Sequence, residues 1–268
     1  MNILIDGNNM VHRDFHATKD NPGRFVPGIE RRIAAIRELW KPIEIVVAFD
    51  SGRTFRHDLF AGYKAGRTPA PEVADCLERA MALLLDLCVP CVAATGFEAD
   101  DVIATLARRA TLLEQRAVIV SADKDLHQCI VPGSVTQVTA MRRSGSALDC
   151  DVINADRLQA KYGVTPAQWV DYRVMIGDKS DGIDGIKGVG PATAREILKH
   201  HAGLDEFFRR EEGQFLTAKE KAGRRLVKDS RHRVARLRQL LTLDRCVPLG
   251  PWWTVPGGAS LDVATVAA

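Results

Sequence analysis

The sequence predicts an α/β fold, a doubly wound and mainly parallel sheet, followed by a smaller helical extension. Short runs rich in β-branched and apolar residues recur at positions 2–5, 43–49, 91–94 and 117–121, separated by segments of helical periodicity. Carboxylates stand where these runs stop or where the next helix begins, at Asp6, Asp50, Glu98, Asp100, Asp101, Asp123 and Asp125. In a doubly wound sheet such positions share one edge, where these folds bind their ligands. After position 151 the strand signals cease and helical spacing takes over.

Residues 2–5 read as a buried strand delivering Asp6, with Gly7, Asn8 and Asn9 as a turn. Ile29, Ile33, Ile36 and Trp40 have the spacing of one helical face, which predicts a helix over 27–40. The next strand, 43–49, ends on Asp50. Between 51 and 71 the pattern lapses into a polar, cationic stretch holding Gly52, Arg53, Arg56, His57, Tyr63, Lys64 and Arg67, which reads as a mobile cover. Val73, Leu77, Met81 and Leu84 line a helix over 71–87, followed by a strand near 91–94, a helix over 98–113 and a strand over 117–121. Helical signals then occupy 154–162, 165–176, 191–200 and 214–243. From Pro248 the chain is Pro, Gly and small residues around Trp252 and Trp253, as in a tail. The expected division is a first domain over 1–150, a helical region over 151–247 and a tail over 248–268.

A chain of 268 residues can bury a full core, and 46 % hydrophobic with 26 % charged residues is ordinary for a soluble enzyme. The net charge of +3 is small, but ten Lys or Arg lie between 215 and 247 against Glu220, Asp229 and Asp244. A basic C-terminal third beside an acidic pocket suits a phosphodiester, with cations for its backbone and metals for the bond to be cut. The six cysteines have no zinc or disulfide spacing, and the C-V-P-C of Cys88 and Cys91 reads as a buried helix-to-strand crossing. Asp6 interrupts the N-terminal apolar run and no stretch of 18 apolar residues exists, so the expectation is a cytoplasmic protein without signal peptide or membrane span.

Two carboxylates about 4 Å apart repel by roughly 4 kcal/mol at an effective dielectric near 20, so a cluster of acids needs protons or cations. Divalent metal answers that need. Glu98 and Asp101, three apart at a helix start, share a face and can address one ion, although acids there also favour the helix dipole. Asp123 and Asp125 alternate just past a strand. Asp178 and Asp181 open a glycine-rich stretch, 177–194, in which Gly185, Gly188 and Gly190 lead into a helix whose start can hold a phosphate. A dinucleotide fingerprint over 188–194 fails because no strand signal precedes it.

In this order the motifs resemble the bacterial and phage 5′-nuclease family, which includes flap endonucleases and the 5′ nuclease domain of bacterial DNA polymerase I. The resemblance runs from position 2 to about 249. It rests on Leu4-Ile5-Asp6-Gly7-Asn8, Phe49-Asp50, Phe55-Arg56-His57 with Gly62-Tyr63-Lys64-Ala65-Gly66-Arg67, Gly96-Phe97-Glu98-Ala99-Asp100-Asp101, Ala122-Asp123-Lys124-Asp125-Leu126 and the 177–194 stretch. It implies a PIN-like, metal-dependent nuclease domain with a helical arch near 51–71, and a helix-hairpin-helix (H3TH) module with a basic C-terminal helix. By that analogy two Mg²⁺ or Mn²⁺ ions sit among the acids, with Asp6, Asp50, Glu98, Asp100 and Asp101 in one region and Asp123, Asp125, Asp178 and Asp181 in the other. Lys64 and Arg67 match residues that steer and stabilise the scissile phosphate, and Tyr63 an aromatic that stacks on a base. Gly185, Lys187, Gly188, Gly190 and Thr193 match a hairpin that binds duplex backbone, often with K⁺.

The implied activity is hydrolysis of phosphodiesters at DNA 5′ ends, flaps or junctions by metal-activated water, as a 5′-3′ exonuclease or flap endonuclease. The implied partners are DNA with 5′ single-strand/duplex junctions and RNA primers, met by a monomer. His12 and Phe60 depart from tyrosines common in polymerase-linked relatives, and the chain resembles a stand-alone member. The rival readings are a metal-dependent ribonuclease of the PIN class and a DNA-structure binding protein with weak catalysis.

Overall fold

Ile3, Leu4 and Ile5 are buried along β1 (Asn2–Asp6), as a strand covered on both faces of a parallel sheet requires. In this computed structural model, which describes residues 1–66, 71–144, 147–209, 218–249, 253–254 and 260–261, the chain falls into two units. The first comprises Met1–Thr54, Thr68–Ile153 and Asp244–Ala268, and the second Phe55–Arg67 and Asn154–Leu243.

In the first unit, α1 (Gly7–Ala17) and α2 (Phe25–Trp40) lead from β1 to β2 (Glu44–Ala48). After α3 (Phe55–Leu59), which belongs to the second unit, come α4 (Pro71–Asp86), β3 (Cys91–Val92), α5 (Ala99–Leu112), β4 (Ala117–Val120), β5 (Val135–Ser144) and β6 (Ala147–Ile153). The six strands are ordered β3-β2-β1-β4-β5-β6, parallel except for the β5–β6 pair. The chain winds outward from β1 to β3, then returns to the other side of β1 with β4. The winding therefore reverses between β1 and β4, and that switch point opens at their carboxyl ends. Ile29, Ile33 and Ile36 of α2 and Val73, Ala80 and Leu84 of α4 share one core with Ile3, Ile5 and Val47 of the sheet.

Three expectations are corrected here. Gly7, Asn8 and Asn9 are the first turn of α1 rather than a loop, because Asp6 accepts the Asn9 amide at 2.9 Å and caps the helix. Strands β5 and β6 were not legible as such, and β6 continues to Ile153. The segment 214–243 is not one helix: its described part is two, broken at Ser230.

The second unit contains α3, α6 (Ala155–Tyr162), α7 (Trp169–Ile176), a two-residue ribbon of β7 (Gly177–Asp178) with β8 (Ile183–Asp184), α8 (Pro191–Lys199), α9 (Leu204–Arg209), α10 (Ala218–Asp229) and α11 (Arg231–Leu241). A strand does therefore precede 188–194, but it is an antiparallel ribbon, not the parallel strand that a dinucleotide fold places there. The ribbon is held by two glycines back to back. A Cβ on Gly177 would lie 2.4 Å from the Gly185 nitrogen, and one on Gly185 would lie 2.4 Å from the Met175 carbonyl oxygen.

The stretch expected to be a mobile cover is in part anchored. Arg56 is 1 % exposed and donates from Nε to the Leu240 carbonyl at 2.8 Å and from Nη2 to that of Thr242 at 3.2 Å. A second anchor is Asp171, which accepts the Leu204 amide at 2.7 Å and two bonds from Arg238 at 2.7 and 3.0 Å. Those carboxylate bonds, with a further one to Asp205, raise the Arg238 pKa above its ordinary value. Asp171→Ala leaves a guanidinium and a buried amide without their acceptor and is expected to cost about 3 kcal/mol, read as a lower urea midpoint. Among the described residues no helix is long and apolar enough to cross a membrane.

Candidate metal centre

The reversal of winding between β1 and β4 gathers acids from separate loops of the first unit. Asp6 ends β1, Asp50 follows β2, and Asp123 follows β4. Two asparagines in the first turn of α1 bind these loops together. Asn8 Oδ1 accepts the Asp50 amide at 2.8 Å, and Asn9 Oδ1 accepts the Ala122 amide at 3.1 Å. Gly7 is required beside them, since a Cβ there would stand 2.4 Å from the Phe49 ring. Ser121 Oγ donates to Asp6 Oδ2 at 2.7 Å and accepts the Asp123 amide at 3.0 Å, and Asp123 Oδ1 accepts the Asp125 amide at 2.8 Å. None of Asn8, Asn9 or Ser121 was singled out from sequence as functional. The signal available was the run Asp6-Gly7-Asn8-Asn9, whose amides suit loop bracing better than a turn.

Burial pushes the Asp6 carboxyl up to about 7, with repulsion from Asp123 and Asp50 adding to it, against the bonds from Asn9 and Ser121. Asp50 Oδ1 also accepts the Ala99 amide at 2.9 Å, which ties β2 to the start of α5. Asp100, Asp101 and Asp125 raise the pKa of the buried Cys129 thiol, so they lie within electrostatic reach of one residue; burial is the main cause of that rise to about 12. Asp101 is fully buried, with Oδ2 accepting the Glu98 amide at 3.1 Å and Oδ1 the Asp244 amide at 2.8 Å. Both its oxygens thus hold backbone, which favours the capping role over shared ligation with Glu98.

In the second unit, Asp178 pairs with Arg173 through Oδ2 while Oδ1 accepts the Ser180 amide at 2.9 Å. Asp181 is buried, and its carbonyl accepts the Lys64 amide at 3.2 Å. Lys64 Nζ sits 5.1 Å from the Tyr63 ring centroid. Tyr63 is itself buried, edge-on to His57, so its ring supports Lys64 rather than standing open to a base. Arg67 lies outside the described residues. Lys187, Gly188 and Gly190 are exposed at the turn before α8, where Pro191 takes the first helical position. Gly185 differs, since its open side is filled by residues 175–177. The Thr193 methyl packs where Gly223 of α10 lacks a side chain.

A cluster of carboxylates, one with its pKa raised to about 7 by burial and like charge, matches the oxygen-liganded requirement of a hard divalent cation. Burial pushes the Cys91 thiol up to about 12, away from the lowered range of reactive thiols.

A doubly wound sheet with acids at its switch point in one unit, and an exposed glycine turn before a helix in the other, are the features of a metal-dependent phosphodiesterase class. Comparison with known proteins makes this specific. Residues 1–163 match the family model of the 5′-3′ exonuclease N-terminal resolvase-like domain, and residues 164–254 that of the 5′-3′ exonuclease C-terminal SAM fold. The chain belongs to the 5′-3′ exonuclease family. It is 33 % identical over 213 residues to the thermostable DNA polymerase I of Thermus aquaticus, a match covering 76 % of this chain and 24 % of that one. It is 32 % identical over 257 residues to DNA polymerase I of Chloroflexus aurantiacus, covering 92 % and 26 %. The chain thus spans about a quarter of the length of these curated relatives. Its fold is that of T5 5′-exonuclease solved with bound zinc, with a TM-score of 0.74, 20 % identity, and coverage of 91 % of this chain and 90 % of that one.

Proposed function

We propose that this chain is a structure-specific 5′ nuclease, a 5′-3′ exonuclease and flap endonuclease acting on DNA at 5′ ends, flaps and junctions. The observation that carries the reading is the meeting of Asp6, Asp50 and Asp123 at the switch point, with the Asp6 carboxyl pushed up to about 7 by burial and by repulsion from the other two. The ligands proposed for two Mg²⁺ or Mn²⁺ ions are Asp6, Asp50, Glu98, Asp100, Asp123 and Asp125 in the first unit, where Asp101 would brace the loop, and Asp178 and Asp181 in the second unit taken by itself. Such ions supply activation of water and stabilisation of the leaving oxygen. Lys64 and Arg67 counter charge on the phosphate. Lys187, Gly188, Gly190 and Thr193 take the duplex backbone, with K⁺ at the hairpin, aided by the cations of α10 and α11. Gly185 shapes this turn from within. The protein works as a cytoplasmic monomer, with RNA primers within its substrate range.

Incubation of a labelled 5′-flap duplex with Mg²⁺ tests the reading. Short 5′ products are expected from the native protein, with a loss of at least about 100-fold on Asp123→Ala. Binding without cleavage, or cleavage confined to RNA strands, would overturn it in favour of a binding protein or a ribonuclease.

A further inference from the structure

Gln137 is a primary amide buried at 0 % exposure near the start of β5, in register with Ile119 of β4 and Ile153 of β6. A buried amide is costly unless its donors and acceptor are all engaged. Here every described bond runs to one segment. Nε2 donates to the Ser121 carbonyl at 2.8 Å and to the Asp123 carbonyl at 2.6 Å. Because two carbonyls can only accept, they fix which way the amide points, and Oε1 therefore faces His127 Nδ1 at 2.7 Å as acceptor. His127, also buried, lies in the 3-10 turn Asp125–Cys129, so one side chain clamps the loop at positions 121, 123 and 127.

The clamped loop is the one that carries Asp123 and Asp125, and its Ser121 hydroxyl reaches back to Asp6 at 2.7 Å. A hydrophobic residue in this strand position would remove the bonds to both carbonyls and to the imidazole. From this geometry we infer that Gln137 is a positioning residue: it holds the backbone of 121–127 so that Asp6, Asp123 and Asp125 present their oxygens to a divalent cation without rearrangement. The inference rests on the metal-centre reading and adds to it the residue on which cation affinity depends without contact.

Groups behind metal ligands commonly set affinity within a range of about 10- to 100-fold. Gln137→Met keeps length and volume while removing both donors and the acceptor. Titration of Mn²⁺ by calorimetry, on the full chain without DNA, should give an affinity about 10- to 100-fold weaker than native. Cleavage lost at limiting metal should return at high Mn²⁺, which Asp123→Ala would not allow. His127→Phe, which removes only the imidazole, should shift affinity the same way by less, and it decides the matter if Gln137→Met does not fold. Native affinity in the folded variants would overturn the inference while leaving the nuclease reading intact. Absence of Mn²⁺ binding by the native protein would overturn both.

Discussion

Replacing Asp6 by Asn is expected to stabilise the metal-free protein at pH 8 and to abolish its Mg²⁺-dependent cleavage. The Asp6 pKa is raised from 3.8 to about 7, chiefly by burial, with Asp123 and Asp50 contributing. A carboxyl that is harder to ionise folded than unfolded costs stability once it must carry charge. Between about pH 4 and pH 7 the folded state keeps a proton that the unfolded chain has released, so stability falls as pH rises through that window. The gap from 3.8 to about 7 corresponds to roughly 4 kcal/mol above pH 7. Asn carries no charge, its Oδ1 can still cap α1 at Asn9, and the Ser121 hydroxyl can turn to accept from its amide. Thermal melts in EDTA should therefore separate the two proteins at pH 8, with Asn the more stable, and bring them together at pH 4. Mg²⁺ should raise the melting temperature of the native protein at pH 8 through its preference for the folded state, and raise that of Asp6→Asn far less. An Asn variant less stable than native at pH 8 would mean that the carboxylate's hydrogen bonds outweigh the cost of its burial and repulsion, so that no electrostatic cost is left for a bound cation to relieve.

What could be read from the sequence was whatever local spacing encodes. β1, β2 and β4 announce themselves by short apolar, largely β-branched runs, and Asp6, Asp50 and Asp123 by standing where those runs stop. Strand β5 did not, because Thr136, Gln137 and Thr139 interrupt its apolar residues. Gln137 is polar for the sake of a loop some 14 to 16 residues away in sequence, a relation no short window contains. Arg56 misled for the same reason. In a polar stretch it suggests solvent or substrate, yet its partners are carbonyls 184 and 186 residues further on. Asn8 and Asn9 were legible only as turn formers, since composition alone does not distinguish a turn from a capped helix start. Asp101 shows the converse, where acids clustered at a helix start divide between ligation and capping, and only its two amide partners separate the roles.

Lys64→Met is expected to lower kcat on flap DNA by about 100-fold while leaving Mn²⁺ affinity near native, because the role proposed for the lysine is on the phosphate and not on the metal. Its backbone stands at φ 51, a left-handed conformation that an unbranched lysine adopts only at a cost. The hydrogen bond that its backbone N–H donates to the Asp181 carbonyl at 3.2 Å holds it there. The ammonium lies 5.1 Å from the Tyr63 ring centroid, and that ring is fixed edge-on by His57 at 5.4 Å. Backbone and side chain are thus both constrained, so the charge is set in place before substrate arrives and little reorganisation remains for the transition state. Lys64→Arg restores charge but not the point-like ammonium and should recover only part of the rate. Tyr63→Leu keeps the charge and removes its support, worth about 1 kcal/mol as a cation–π contact, so a fall of roughly fivefold is expected. If Lys64→Met instead raised KM alone, the lysine would bind ground and transition states equally, and its place would be with the duplex-holding cations rather than with the chemistry.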